Sequence, residues 1–152
     1  MVHQKKDLYL KKGDNMYLNF LTEEEKFNFM KMAYLVVNID GDFAQEEKNL
    51  INQYEQEMDL EIILKNDEIE SLDVDHVIES FDSSNHQDKK IILTELLGLV
   101  LSDEKFEARE KEFVDKFIKY HNITNDFYNE AKILVENINH SYKKLNEIIL
   151  AE

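Results

Sequence analysis

The stretch "LTEEEKFNFMKMAYLVVNIDGDFAQEEKNLINQYEQEM" (21–58) decides the fold. It starts with a capping box, in which Thr22 can accept from the N–H of Glu25 while the Glu25 carboxylate reaches back. Apolar Phe27, Met30, Ala33, Tyr34 and Val37 then recur at helical spacing. Leu50, Ile51, Tyr54 and Met58 resume the same period further on. Between them, "NIDGDFAQEE" gathers Asp40, Asp42, Glu46 and Glu47 into a short break, where an acid must find a partner or face water. The pattern is an apolar helix, an acidic elbow and an amphipathic helix.

The rest of the chain continues in helices. Val74, Val77, Ile78 and Phe81 mark a third, shorter one. "SSNH" is a start signal for a fourth over roughly 87–101, apolar nearly all round and therefore central. Gly98 within it costs about 1 kcal/mol of helix propensity relative to Ala and permits a close helix crossing. A fifth helix carries Phe113, Val114, Phe117 and Ile118. Thr124 reads as the N-cap of a long final helix, where Phe127, Ala131, Leu134, Ile138, Tyr142, Leu145 and Ile149 keep one stripe. The short apolar runs "MYLNFL" (16–21) and "LEIIL" (60–64) are ambiguous between helix and strand.

The elbow occurs twice. "IDGDFAQEEKNLINQYEQEMDL" (39–60) aligns without a gap on "SDEKFEAREKEFVDKFIKYHNI" (102–123), matching Asp40 with Asp103, Phe43 with Phe106, Glu47 with Glu110 and Lys48 with Lys111. Apolar pairs keep the same phase: Leu50/Phe113, Ile51/Val114, Tyr54/Phe117 and Leu60/Ile123. The expected architecture is all-α: a compact bundle of about six to seven helices built from two pseudo-symmetric helical hairpins in one domain spanning 1–152. An N-terminal arm or short helix (1–20) precedes the first repeat (21–60). A connector with a short helix (61–84), the second repeat (85–123) and the C-terminal helix (124–152) follow.

Composition narrows the classes of function. The chain has 152 residues, no Pro, only three Gly and a hydrophobic fraction of 43%, which suits short polar loops between helices. Without Cys, disulfides, thiolate zinc sites and cysteine nucleophiles are excluded. Eighteen Lys+Arg against 33 Asp+Glu give a formal net charge of −15, which repels nucleic acid and anionic lipid and attracts cations and basic proteins. Lys5, Lys6, Lys11 and Lys12 crowd a solvated terminal arm with no run of signal-peptide length. The run "IILTELLGLVL" (91–101) is too short to span a bilayer. A cytoplasmic protein without membrane insertion is expected.

The elbows hold the candidate ligands. Asp40 and Asp103 sit where an apolar helix ends, against the negative end of its macrodipole. They can accept from the free amides of the following helix, whose ordinary capping position is Ala44 or Glu107, neither a preferred cap. Alternatively, Asp40, Asp42 and Glu47, with a backbone carbonyl and waters, supply the oxygen shell of Ca²⁺, Mg²⁺ or Mn²⁺, with Asp103 and Glu110 as weaker equivalents. The EF-hand pattern fails: with Asp40 at position 3, Phe43 takes the Gly position and Asn49 the bidentate Glu position. In the second elbow, Lys105 replaces Asp42 and Arg109 replaces Glu46.

The other constellations are sparse. His76 and Glu79 form an H-x-x-E on one helix face, but no Glu-x-x-His pair of a di-iron bundle exists. His121 lies at the end of the fifth helix, where it can favour the dipole. No phosphate loop, nucleophile elbow or H-E-x-x-H is present. A carboxylate hydrolase would need a cleft, and an enzyme is not expected.

The quoted stretch resembles the core of the TerB-like, tellurite-resistance-associated family. In that family an apolar helix runs into "A-x-x-DGE-x-x-x-E-E" and an amphipathic helix, repeated in the second half of a helical domain. Asp40, Gly41 and the pair Glu46/Glu47 match; Asp42 stands for the usual Glu, and Glu104 replaces the second Gly. The likeness covers roughly residues 20–125. It implies a compact helical module of metal-stress or phage-defence type, with acidic residues proposed to hold a divalent cation. The expectation is a small cytoplasmic stress-response protein that binds such a cation through its elbows. The alternative is a metal-free interaction or adaptor module whose elbow acids are helix caps and whose acidic surface recruits a basic partner.

Overall fold

A computed structural model describes residues 17–39, 49, 51–54, 56, 71–102 and 106–151. The described residues form a 3₁₀ turn (Leu18–Phe20), α1 (Glu23–Asn38), α2 (Val74–Glu79), α3 (His86–Val100), α4 (Ala108–Tyr120) and α5 (Asn125–Leu150), with no strand among them. Residues 49, 51–54 and 56 are also helical. The all-α class holds. Residues 1–16 of the expected N-terminal arm or short helix (1–20), the run 60–64 and the elbow segments 40–48 and 103–105 lie outside the described residues. Of the other ambiguous run, 16–21, Leu18–Phe20 form the 3₁₀ turn.

Every α-helix whose start is described begins where a polar side chain takes up a free amide. Thr22 Oγ1 accepts from Glu25 N–H at 3.1 Å, and Glu25 Oε1 from Thr22 N–H at 2.9 Å, so the capping box forms as expected. Asp73 caps α2, Asn85 caps α3 through the Asp88 N–H at 2.7 Å, and Thr124 caps α5. Such caps set the chain's entry into each helix and add about 1 kcal/mol apiece.

The centre of the bundle is α3, packed against α1, α4, α5 and the 3₁₀ turn. Ile91, Ile92, Leu93, Leu96, Leu97, Gly98, Leu99 and Val100 are all buried along it, which is why its sequence is apolar nearly all round. Phe29, Met30, Met32, Ala33, Val36 and Val37 of α1 close one side, and Val77, Ile78 and Phe81 another. Phe113, Val114, Phe117 and Ile118 of α4 complete one contiguous core. Ile51 and Tyr54, expected on the second helix, are buried in it, and the Tyr54 ring meets Phe29 edge-on at 5.5 Å.

A left-handed residue ends α4. Asn122 has φ 55°, and Ile123 N–H turns back to the Ile118 carbonyl at 3.1 Å. Only Gly occupies that region without cost, and Asn pays less than residues with bulkier side chains. Asn122→Ala is therefore expected to lose about 1 kcal/mol in chemical denaturation, whereas Asn122→Gly should match or exceed wild type. Equal losses in both would show that the Asn side chain, rather than the backbone angle, matters.

Candidate functional site

Of the five carboxylates expected to coordinate a cation, Asp40, Asp42, Glu47 and Asp103 lie outside the described residues. The fifth, Glu110, is buried in the first turn of α4, where its Oε1 accepts from Glu107 N–H at 3.1 Å. Glu107 is the N-cap residue, as the repeat places it. Glu110 thus meets part of the capping need that sequence assigns to an outside acid. No group of three or more His, Asp or Glu among the described residues is arranged to hold a metal ion.

Arg109 has a role its sequence position does not suggest. Its Nη1 donates to the Ile39 carbonyl, 70 residues away, at 3.0 Å. Ile39 is the C-cap of α1, so the guanidinium meets a carbonyl at the negative end of that helix's dipole. This bond ties the start of α4 to the end of α1 and places a positive charge at the C-cap of that helix.

The buried ionisable groups act as structural ties. Glu25 and Asp88 each occupy the third position of a helix, where the dipole favours negative charge. Burial alone would raise the Glu25 pKa, but Ser84, Thr22 and Asp88 beside it together hold it below its ordinary value. Of these, Thr22 makes a full hydrogen bond, to Oε1; Oε2 is buried without one among the described residues. Glu95, buried midway along α3, accepts from the Tyr17 N–H.

His121 is not a charged partner for the helix dipole. Only 4% exposed, it rests against Phe117 and Tyr120, with ring centroids 4.7 and 4.8 Å away, and its Nε2 lies 2.8 Å from the Ile78 carbonyl. A carbonyl only accepts, so Nε2 carries the hydrogen. Burial pushes the His121 pKa down, with nearby Lys89 adding to the effect, against the opposing Ile78 bond and Asp82 charge. The ring is a neutral strut. His76, by contrast, is exposed on α2, its Nδ1 3.8 Å from Asp73.

Among the described residues the concave surface consists of open depressions. An open depression of about 610 Å³ at the α4–α5 junction is lined by Asp115, Lys119, Asn122, Thr124, Asn125 and Tyr128, among others. Burial raises the Tyr128 pKa, with the charges of Asp115 and Glu136 adding to it, and the hydroxyl is buried with no hydrogen-bond partner among the described residues. A phenol that stays protonated is not a base or nucleophile.

The convex surface is different. The face of α5 that docks carries Tyr128, Ala131 and Val135, ending where Asn139 Nδ2 donates to the Leu101 carbonyl at 3.3 Å. Residues 140–150 are all exposed. Of the stripe read from sequence, Ala131 is buried and Phe127 and Ile138 are half-buried, while Leu134, Tyr142 (61% exposed), Leu145 (52%) and Ile149 (67%) face solvent. Ile148 joins them. The signal for this surface lay in the spacing: Phe127, Ile138 and Ile149 are eleven apart, as are Ala131 and Tyr142, and Leu134 and Leu145. An eleven-residue repeat keeps an apolar line nearly straight down a helix, past the end of the body it docks on.

No family model, curated protein or solved structure matches the chain.

Proposed function

We propose that this chain is a non-enzymatic, TerB-like helical interaction module that works in the cytoplasm and binds through the outer half of α5. One observation carries the reading: a helix of 26 residues docks by its first half and presents Tyr142, Leu145, Ile148 and Ile149 to water on its second. Apolar patches of this kind on soluble proteins mark contact surfaces. No helix among the described residues is long and apolar enough to cross a membrane, and a formal net charge of −15 disfavours an anionic lipid surface and favours a protein as the cover. The metal-free alternative ranks above the cation reading for two reasons. Glu110 is occupied as a cap, and Arg109, which takes the place of Glu46 in the second elbow, brings positive charge to the end of α1.

The triple variant Tyr142→Gln/Leu145→Gln/Ile149→Gln tests the surface. Each exposed substitution should change stability by no more than about 0.5 kcal/mol, leaving circular dichroism intact. Binding of a dye that reports exposed apolar surface should fall by most of its amplitude. Loss of several kcal/mol instead would place the stripe in the protein's interior and overturn the reading. A parallel titration with Ca²⁺, Mg²⁺ and Mn²⁺ should leave the wild-type melting temperature unchanged; a rise abolished by Asp40→Asn would restore the cation reading.

A further inference from the structure

We infer that the partner of this surface is a second copy of the chain, paired antiparallel along the outer halves of α5; the inference rests on the reading just proposed. Three features of the helix favour it. The first is its flanks. At about 100° per residue, Leu134, Ile138, Tyr142, Leu145 and Ile149 fall on one line, bordered by Ser141 and Asn146, while Lys143, Lys144 and Glu147 turn to the opposite face. A seam without charged edges does not select a partner of opposite sign, and it accepts a copy of itself.

The second is the overall charge. With a formal net charge of −15, two bodies of this chain repel one another. In an antiparallel pair centred near Tyr142–Leu145, each body lies at the far end of the other's helix. Residues 140–150 extend about 16 Å beyond the docked region, roughly two Debye lengths at physiological salt. A parallel pair would set the bodies side by side. The tip of α5 is thus a place where two copies can touch with little repulsion.

The third is area. Tyr142, Leu145, Ile148 and Ile149 are 52–67% exposed and offer on the order of 100 Å² of apolar surface apiece, with the half-buried Ile138 adding less. The pair would bury about 800 to 900 Å², in the range of weak, transient interfaces. The expected assembly is a reversible dimer.

The experiment combines sedimentation with thiol labelling, since the chain has no Cys and each variant adds a single thiol. Over rising concentration the wild-type mass should move from 18.1 kDa toward twice that value, while the triple Gln variant should need at least about tenfold more protein to do so. Added salt should strengthen the dimer by screening like charges; weakening would overturn the inference. Ile138→Cys mixed with Ile149→Cys should cross-link into a mixed pair, whereas efficient self-cross-linking of Ile149→Cys would overturn the antiparallel arrangement. A wild type that stays monomeric while Leu145→Cys labels rapidly overturns the dimer and leaves the interaction module standing. A monomer in which that thiol is protected overturns both, because another segment of the same chain then covers the stripe. A dimer that persists unchanged in the triple variant lies elsewhere and also overturns the inference.

Discussion

His121→Ala is expected to lose about 4 kcal/mol of folding stability, from the ring volume vacated and the Ile78 carbonyl left unpaired. That is a large part of the roughly 5–15 kcal/mol that holds a domain of this size together. The ring sits between Phe81, Phe117 and Tyr120 and ties α4 to α2 through Ile78, 43 residues away. Urea denaturation measures the loss. His121→Gln, whose amide can donate to the same carbonyl, should recover part of it, and no recovery would mean that packing alone matters.

The same residue sets a pH dependence whose sign differs from that of a salt-bridged histidine. Burial holds the His121 pKa below the ordinary 6.5 of the unfolded chain. Between the two values the unfolded state binds a proton that the folded state does not, so stability rises with pH there. It is fully present above 6.5 and is lost as pH falls below that value toward the folded pKa. Wild type should therefore weaken between pH 7 and 5 more than His121→Gln does. Superimposable profiles would show that the ring does not titrate with folding.

Glu95→Ala carries the second large effect, a loss of about 3 kcal/mol from removing a buried side chain and stranding the half-buried Tyr17 amide that donates to it. Glu95 is 1% exposed, and the N–H it accepts from belongs to Tyr17, which precedes the 3₁₀ turn. The bond pins that turn to the central helix, where Leu18 and Leu21 enter the core. Exchange of the Tyr17 amide hydrogen should accelerate sharply in the Ala variant. Glu95→Gln retains an acceptor of nearly the same reach and should cost clearly less. Unchanged Tyr17 exchange in Glu95→Ala would show that this amide is not held by the carboxylate.

The helices and their starts were legible because their causes are local. Thr22, Asn85 and Thr124 cap from within three residues of the amides they satisfy. The central place of α3 was legible because a helix apolar on every side can only be enclosed. The ties across the bundle were not. Arg109 to Ile39, His121 to Ile78 and Glu95 to Tyr17 join residues 70, 43 and 78 positions apart. In the sequence Arg109 reads only as a lost acid and His121 as a terminal charge; neither residue type names the carbonyl it meets. Of the candidate ligands, Glu110 alone falls on described backbone, and its capping role was half-visible in the Glu107–Glu110 spacing.

Amino-acid order by itself determined the all-α class, the capping box, the burial of α3 and the apolar line along α5, because periodicity and short-range hydrogen bonding act along the chain. Only the tertiary structure decided how much of that line is used. Among the described residues, docking stops near Asn139, and the line continues into water through Tyr142, Leu145 and Ile149. A hydrophobic stripe records that a helix has something to bury. What covers it depends on how far the neighbouring helices reach, and that is a property of the assembled bundle.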